Sequence, residues 1–232
     1  MGQGGEAGWS GAYLHWDSQW RERAGILAWS DPEPWVAEVI DMVRGRASGP
    51  GRASAPGGRA LDLGCGVGRH TLLMARRGLQ AHGTDRSEAG LRHVREQGER
   101  LGLAVHLCAA DFRQLPFGPG TFDYVLAWNT IYHGTEQDCA AGLREIRRVT
   151  RPGGLLQATM LSKRNREYGR GIEIHSNTFV QPQASDDKVH PHTYSDEPGI
   201  ARLYQDFRML AAAERDHGGS GSHHWHLLCE VP

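Results

Sequence analysis

The sequence lacks long apolar runs: none of its 232 residues sit in a stretch near the roughly 20 residues of a membrane-spanning helix. It lacks a charge excess as well. Against 26 Lys and Arg stand 27 Asp and Glu, a formal net charge of -1. That balance argues against a broad electrostatic footprint for nucleic acid or an anionic membrane, and leaves room only for a local patch. Cysteine is scarce. Cys65, Cys108, Cys139 and Cys229 are scattered, with no C-x-x-C pair. Each falls in or beside an expected regular element, which reads as reduced thiols in a cytoplasmic protein. The Gly-rich, polar N-terminus shows no signal peptide. There is no internal repeat. The length suits one domain with a sizeable core.

What is plentiful is glycine, and its most informative use is Arg59-Ala-Leu-Asp-Leu-Gly-Cys-Gly-Val-Gly-Arg-His70. Ala60, Leu61 and Leu63 read as a buried strand. Gly64, Gly66 and Gly68 permit positive φ and let a ligand lie against the backbone. A helix follows from Arg69 to Arg77. Its free N–H groups face the turn and suit a polar or anionic group. The spacing is G-x-G-x-G. The dinucleotide fingerprint G-x-G-x-x-G is not met, because its third glycine position is Arg69.

Around this turn the chain reads as follows. Met1 to Gly8 is expected to be disordered. Two helices are expected at Ala12–Arg23 and Pro34–Val43, and five tryptophans (Trp9, Trp16, Trp20, Trp29, Trp35) fall in this opening region. They either pack the helices onto the domain or cover a bound ligand. Gly45 to Gly58 reads as a flexible linker, so residues 1–58 form a helical cap plus linker. Beyond it, strands and helices alternate, which argues for a parallel α/β sheet. Strands are expected at 79–83, 104–109, 121–128 and 155–161. Ser87 is the expected N-cap of a helix to Arg100. Thr135-x-x-Asp138 resembles a capping box. Arg151-Pro-Gly-Gly154 reads as a turn. Residues 162–194 read as a long, polar, irregular lid. A short helix over 195–206 and a closing antiparallel hairpin, 209–215 with 224–231, complete the chain.

Ligands of such sheets bind beyond the carboxyl ends of the strands. There the sequence places Gly64, Cys65 and Gly66, then Asp85 with Arg86, then Asp111 and Phe112, then Trp128, Asn129, Tyr132 and His133. A carboxylate at Asp85 can accept both hydroxyls of a ribose, which supports a nucleoside ligand.

The glycine turn preceded by Asp62, the run Asp123-Tyr-Val-Leu-Ala-Trp-Asn129, and Glu145-Ile-Arg-Arg-Val-x-Arg-Pro-Gly-Gly154 together resemble the class I S-adenosylmethionine-dependent methyltransferases. The likeness covers roughly Ala60 to Leu161 and feels nearest to the small-molecule, tellurite-resistance-like and "methyltransferase type 11" branches. It implies a doubly wound, mostly parallel, seven-stranded Rossmann-like sheet with a C-terminal antiparallel hairpin, with the cofactor-binding domain at 59–232. It implies S-adenosylmethionine as cofactor and in-line transfer of its methyl group to a small molecule. Gly64, Cys65 and Gly66 would pass the methionine end, and Asp62 would organise the loop or receive the ammonium. Asp85 would hold the ribose, and Asp111 and Phe112 the adenine. Trp128 and Asn129 would lie near the methyl group. Where the acceptor arrives protonated, Tyr132 and His133 are the candidate catalytic residues. A structural role for either stands beside that reading.

Histidine is also plentiful, 13 in all, and clusters late. His175, His190, His192, His223, His224 and His226, with Asp186 and Asp187, invite comparison with histidine–carboxylate metal sites. The H-P-H spacing is tight and no helical H-x-x-x-H pair exists. The reading adopted is a polar lid whose histidines bond to backbone or substrate, and no metal ligand is assigned. Two other functions stay open: a nicotinamide-dependent oxidoreductase, and a binding module for S-adenosylmethionine or metal without catalysis. RNA methylation is disfavoured by the charge balance.

Overall fold

The computed structural model describes residues 12–47 and 58–232. Met1–Gly8, Trp9 and most of the 45–58 linker lie outside them. At the centre runs β1 (Arg59–Leu63), buried over its last four residues. It pairs in parallel with β2 (Gln80–Asp85) on one side and β4 (Phe122–Ala127) on the other. Next to β2 lies β3 (Val105–Ala109), and next to β4 lies β5 (Thr150–Ser162), both parallel. All six residues of β4 are buried, as befits a parallel strand covered on both faces.

The alternation of β1 and β4 side chains builds two core layers. Tyr124 and Leu126 pack with Val36, Val39, Ile40 and Val43 of α3 (Pro34–Ala47) and with Met74 of α4 (Arg69–Arg76). Val125 and Ala127 face the other way, onto Cys139, Leu143, Ile146 and Val149 of α6 (Glu136–Val149). The helix α5 (Glu88–Leu101) starts where Ser87 Oγ accepts the Gly90 N–H at 3.0 Å. Thr135 and Asp138 form the expected reciprocal cap of α6. The seven-stranded core sheet is completed by β10 (His223–Glu230), antiparallel to β5 and to β9 (Arg208–Asp216).

Four sequence readings change. The opening helix stops early: α1 (Ala12–Gln19) is followed by a separate α2 (Arg23–Ala28). Gly25 permits the tight turn between them, since a Cβ there would stand 2.4 Å from the Gln19 carbonyl oxygen. Helix α3 runs on to Ala47, past the expected linker start. Arg151-Pro-Gly-Gly154 is not a break. It is the bulged first part of β5, where Gly153 takes φ 71° and its N–H bonds to Val231 O at 2.8 Å.

The largest change concerns the lid, which is not irregular. It forms β6 (Ile172–His175), β7 (Thr178–Val180), a 3-10 turn at Asp187–Val189 and β8 (His192–Ser195), with α7 (Glu197–Leu203) after it. Strand β8 pairs in parallel with Leu161 and Ser162 of β5. β10 occupies one edge of β5, so β8 takes the other edge, where β4 has already ended at Ala127. Tyr168, Phe179 and Tyr194 anchor the lid through edge-on ring contacts of 5.3–6.0 Å between centroids. The lid therefore stands over the tip of β4. Among the described residues no helix is long and apolar enough to cross a membrane.

Candidate active site

The turn after β1 needs its glycines. Gly64, Gly66 and Gly68 take φ of 70°, 52° and 80°, values that favour residues without a Cβ. A Cβ on Gly64 would also stand 2.4 Å from Thr130 Oγ1. The Gly64 and Cys65 N–H groups both bond to Thr84 O, at 2.7 and 2.9 Å. At the tip of β2, Asp85 accepts the Gly66 N–H on one oxygen and the Ser87 N–H on the other, both at 2.8 Å. Burial raises its carboxyl pKa, and those N–H groups oppose the rise. Each oxygen keeps a lone pair for a ligand. Asp62 is buried and accepts from Thr71 Oγ1 at 2.7 Å, which ties β1 to α4. Burial pushes its carboxyl up to about 6.

At the tip of β3, Asp111 is not a free carboxylate. Arg113 grips it with Nη2 at 2.7 Å and Nε at 2.9 Å, and Arg113 Nη1 reaches Asp138 at 3.0 Å. Burial raises the Asp111 carboxyl, but the Arg113 fork outweighs it and holds the group below its usual range. Arg86, at the exposed rim, stands 3.6 Å from the same carboxylate. The Phe112 ring lies over Gly142 of α6, where a Cβ would come within 2.6 Å of it.

Beyond β4 the backbone turns sharply at Asn129, whose φ is 54°. Thr159 holds that turn: its Oγ1 accepts the Asn129 N–H at 2.8 Å and donates to Asn129 Oδ1 at 3.0 Å. Trp128 is buried in a ring cluster, stacked on His217 and edge-on to His226. Tyr132 is buried, and burial keeps its phenol well above the usual range. His133 Nε2 lies 3.0 Å from Asn129 O. A carbonyl only accepts, so the proton sits on Nε2 and Nδ1 carries the lone pair. That Nδ1 faces His190 Nε2 at 2.9 Å.

All eleven residues expected at the strand tips, and Asp62 with them, line one cavity of about 450 Å³. Above the glycine turn it is roofed by Trp16 and Trp20, stacked at 5.2 Å, and by Trp29, edge-on to both. Asp17 fastens this roof, accepting from Ser87 Oγ at 2.8 Å and from the Ala89 N–H at 2.9 Å.

A family profile described as "Methyltransferase domain" matches residues 60–154. A demethylmenaquinone methyltransferase from Beutenbergia cavernae is 30% identical over 185 residues, covering 78% of this chain and 74% of that protein. A malonyl-[acyl-carrier protein] O-methyltransferase from Pseudescherichia vulneris is 28% identical over 172 residues, 72% of this chain and 65% of that protein. The chain belongs to the class I S-adenosylmethionine-dependent methyltransferases. Its fold agrees. Among solved structures, the Burkholderia thailandensis 1,6-didemethyltoxoflavin-N1-methyltransferase superposes with a TM-score of 0.69 at 18% identity, over all of this chain and 94% of that one. The nicotinamide reading is set aside.

S-adenosylmethionine is accordingly the cofactor of this methyltransferase, and the cavity fits it. A positive-φ glycine turn, the strand-tip acid Asp85 with spare lone pairs and an aromatic roof converge on one space. Several methyltransferase pocket residues escaped the sequence reading. Arg69, which spoils the dinucleotide pattern, stands in the pocket wall with its guanidinium 5.2 Å over the Trp29 ring. A cation in the first turn after a glycine loop was the signal. Lys188 and His217 also line the space, beside His190 and His224 of the expected histidine group. Only their tertiary placement reveals that.

Proposed function

We propose that the methyl acceptor is a small molecule seated between the cofactor end of the cavity and the lid. The docking of β8 on β5 carries this reading. It brings His192 into a backbone bridge with His133 and closes the space above the β4 tip. A cavity of about 450 Å³ lies within the range of small-molecule sites. The two relatives named above take their names from different acceptors, a demethylmenaquinone and a malonyl-[acyl-carrier protein].

S-adenosylmethionine supplies a methyl group already activated on a sulfonium. The surrounding residues therefore have to bind, orient and exclude water. In this reading Gly64, Cys65 and Gly66 pass the methionine end by backbone contact, and Asp62 steadies the loop through Thr71. Asp85 holds the ribose with its remaining lone pairs. Asp111, Phe112 and Arg86 frame the adenine end. Trp128 and Asn129 flank the methyl group, and Tyr132 and His133 meet the acceptor. The buried Tyr132 phenol stays protonated, so it donates a hydrogen bond and does not act as a base. As a base, His133 takes a proton at Nδ1 and gives up its bond from His190. The reading extends to a protein working in the cytoplasm, which its four free thiols support.

The test is incubation of the full chain with methyl-labelled S-adenosylmethionine and a cell extract separated by size. Label is expected in the low-mass fraction. Label only in protein or RNA overturns the small-molecule reading. Cofactor binding with no label in any fraction supports the non-catalytic module.

A further inference from the structure

Four side chains at the acceptor end form a group that methyl transfer alone does not require. His133 comes from the loop after β4, and Asp187, His190 and His192 come from the lid. One ligand-type atom of each lies within 4.8 Å of all the others. We propose that these four residues bind one divalent transition-metal ion, of the zinc, iron(II) or nickel(II) class.

The spacing fits. Metal bonds of about 2.0–2.1 Å in a tetrahedral site put neighbouring ligand atoms roughly 3.3 Å apart. His133 Nδ1 and His190 Nε2 stand 2.9 Å apart, and His192 Nε2 and Asp187 Oδ2 stand 3.3 Å apart. The outer partners fit for two of the three histidines. A ligating histidine commonly donates its second ring N–H to a carbonyl or carboxylate, which fixes the tautomer. His133 donates Nε2–H to Asn129 O at 3.0 Å, and His192 donates Nδ1–H to His190 O at 2.9 Å. Both rings are thereby left with lone pairs turned inward. Lys188 Nζ engages Asp187 Oδ1 at 2.5 Å, leaving Oδ2 to face the histidines.

Proton bookkeeping points the same way. His133 Nδ1, His192 Nε2 and Asp187 Oδ2 all present lone pairs to the centre. Of the four groups, only His190 has an N–H to offer: without metal it sits on Nε2 and serves His133, and with metal it sits on Nδ1. The His192–Asp187 contact then has two acceptors and no proton. Either an added proton or a metal cation resolves it. His190 and His192 are each 1% exposed, so water is poorly placed to do so. Nitrogen-rich donors with one carboxylate suit borderline metals and not magnesium or calcium.

Three of the four residues also line the cavity, which leaves room for a further ligand on that side. An acceptor hydroxyl or thiol binding there forms a metal–oxygen or metal–sulfur bond and loses its proton to water. This step rests on the small-molecule reading above, whereas metal binding does not. It removes the need for a free base where both His133 nitrogens are already engaged.

The test uses the tag-free full chain, dialysed against chelator and then titrated with zinc or cobalt(II). Bound metal is measured by calorimetry and elemental analysis, and the cobalt form by its visible absorption. One equivalent per chain is expected, with cobalt bands of a low-symmetry nitrogen–oxygen site. His190→Ala and His192→Ala should each weaken zinc binding at least about 100-fold, while S-adenosylmethionine binding shows that they fold. His175→Ala, on an exposed strand of the lid, should bind as wild type does. Sub-stoichiometric uptake by the wild-type chain overturns the site. So does zinc affinity unchanged in both cluster variants.

Discussion

Asp62→Asn tests the electrostatics beneath the cofactor turn. Asp62 lies at the end of β1, is 2% exposed, and keeps one hydrogen bond from Thr71 Oγ1. Burial lifts its carboxyl from 3.8 to about 6. The sign follows from linkage. Between pH 4 and pH 6 the folded chain holds a proton that the unfolded chain has released, so stability falls as pH rises through that window. The gap corresponds to about 3 kcal/mol, fully expressed at pH 7 and absent below pH 4. Asparagine keeps an acceptor for Thr71 and carries no titrating proton. Denaturant unfolding of both proteins from pH 4 to pH 7.5 is the assay. The variant should gain on wild type by up to about 3 kcal/mol across the range, with the change centred between pH 4 and pH 6. A constant difference at every pH would show that Asp62 titrates as an exposed carboxylate does, and the buried-charge argument would fail.

Three further changes probe the cofactor side. Asp85→Asn removes one of two acceptors for the Gly66 and Ser87 N–H groups and should weaken S-adenosylmethionine binding roughly 10-fold or more with the fold intact; unchanged affinity by calorimetry would remove the ribose assignment. Gly64→Ala must place a Cβ at φ 70°, 2.4 Å from Thr130 Oγ1, and should cost about 2–5 kcal/mol, a fall in Tm of roughly 5–15 °C; a Tm within a degree of wild type would contradict the geometry. Gly142→Ala should displace Phe112, whose ring lies 2.6 Å from the new Cβ, and loosen the proposed adenine end. Helix propensity alone would stabilise α6 by about 1 kcal/mol, so a more stable variant with wild-type cofactor affinity would refute the contact.

The features visible in the sequence are the local ones. The apolar run of β4, the three turn glycines, the Ser87 cap and the Thr135–Asp138 box are each set within a few residues, and the structure contains all of them. The antiparallel closing hairpin was equally plain from its glycine link. The features not visible are those created by pairing. Ile172–His175 has four exposed residues and no periodicity that marks a strand. It pairs only because β7, itself held by β8, lies beside it. The hold of Arg113 on Asp111 was hidden for a different reason. Two residues apart at a strand tip say nothing about which way a guanidinium folds.

The lid shows how one register decides the site's chemistry. Strand β4 ends at Ala127 while β5 runs on to Ser162, so β5 carries an unpaired edge past Ala158. An open edge attracts a strand, and β8 fills it at Leu161 and Ser162. That register delivers His192 to the backbone of His133, and with it His190 and Asp187. A slip of one residue would turn alternate side chains to the opposite face and would separate His192 from Asp187. The histidine cluster is thus a consequence of unequal strand lengths. The same inequality roofs the proposed acceptor space, so in this fold enclosing that space and assembling the four polar side chains beside it are one structural event.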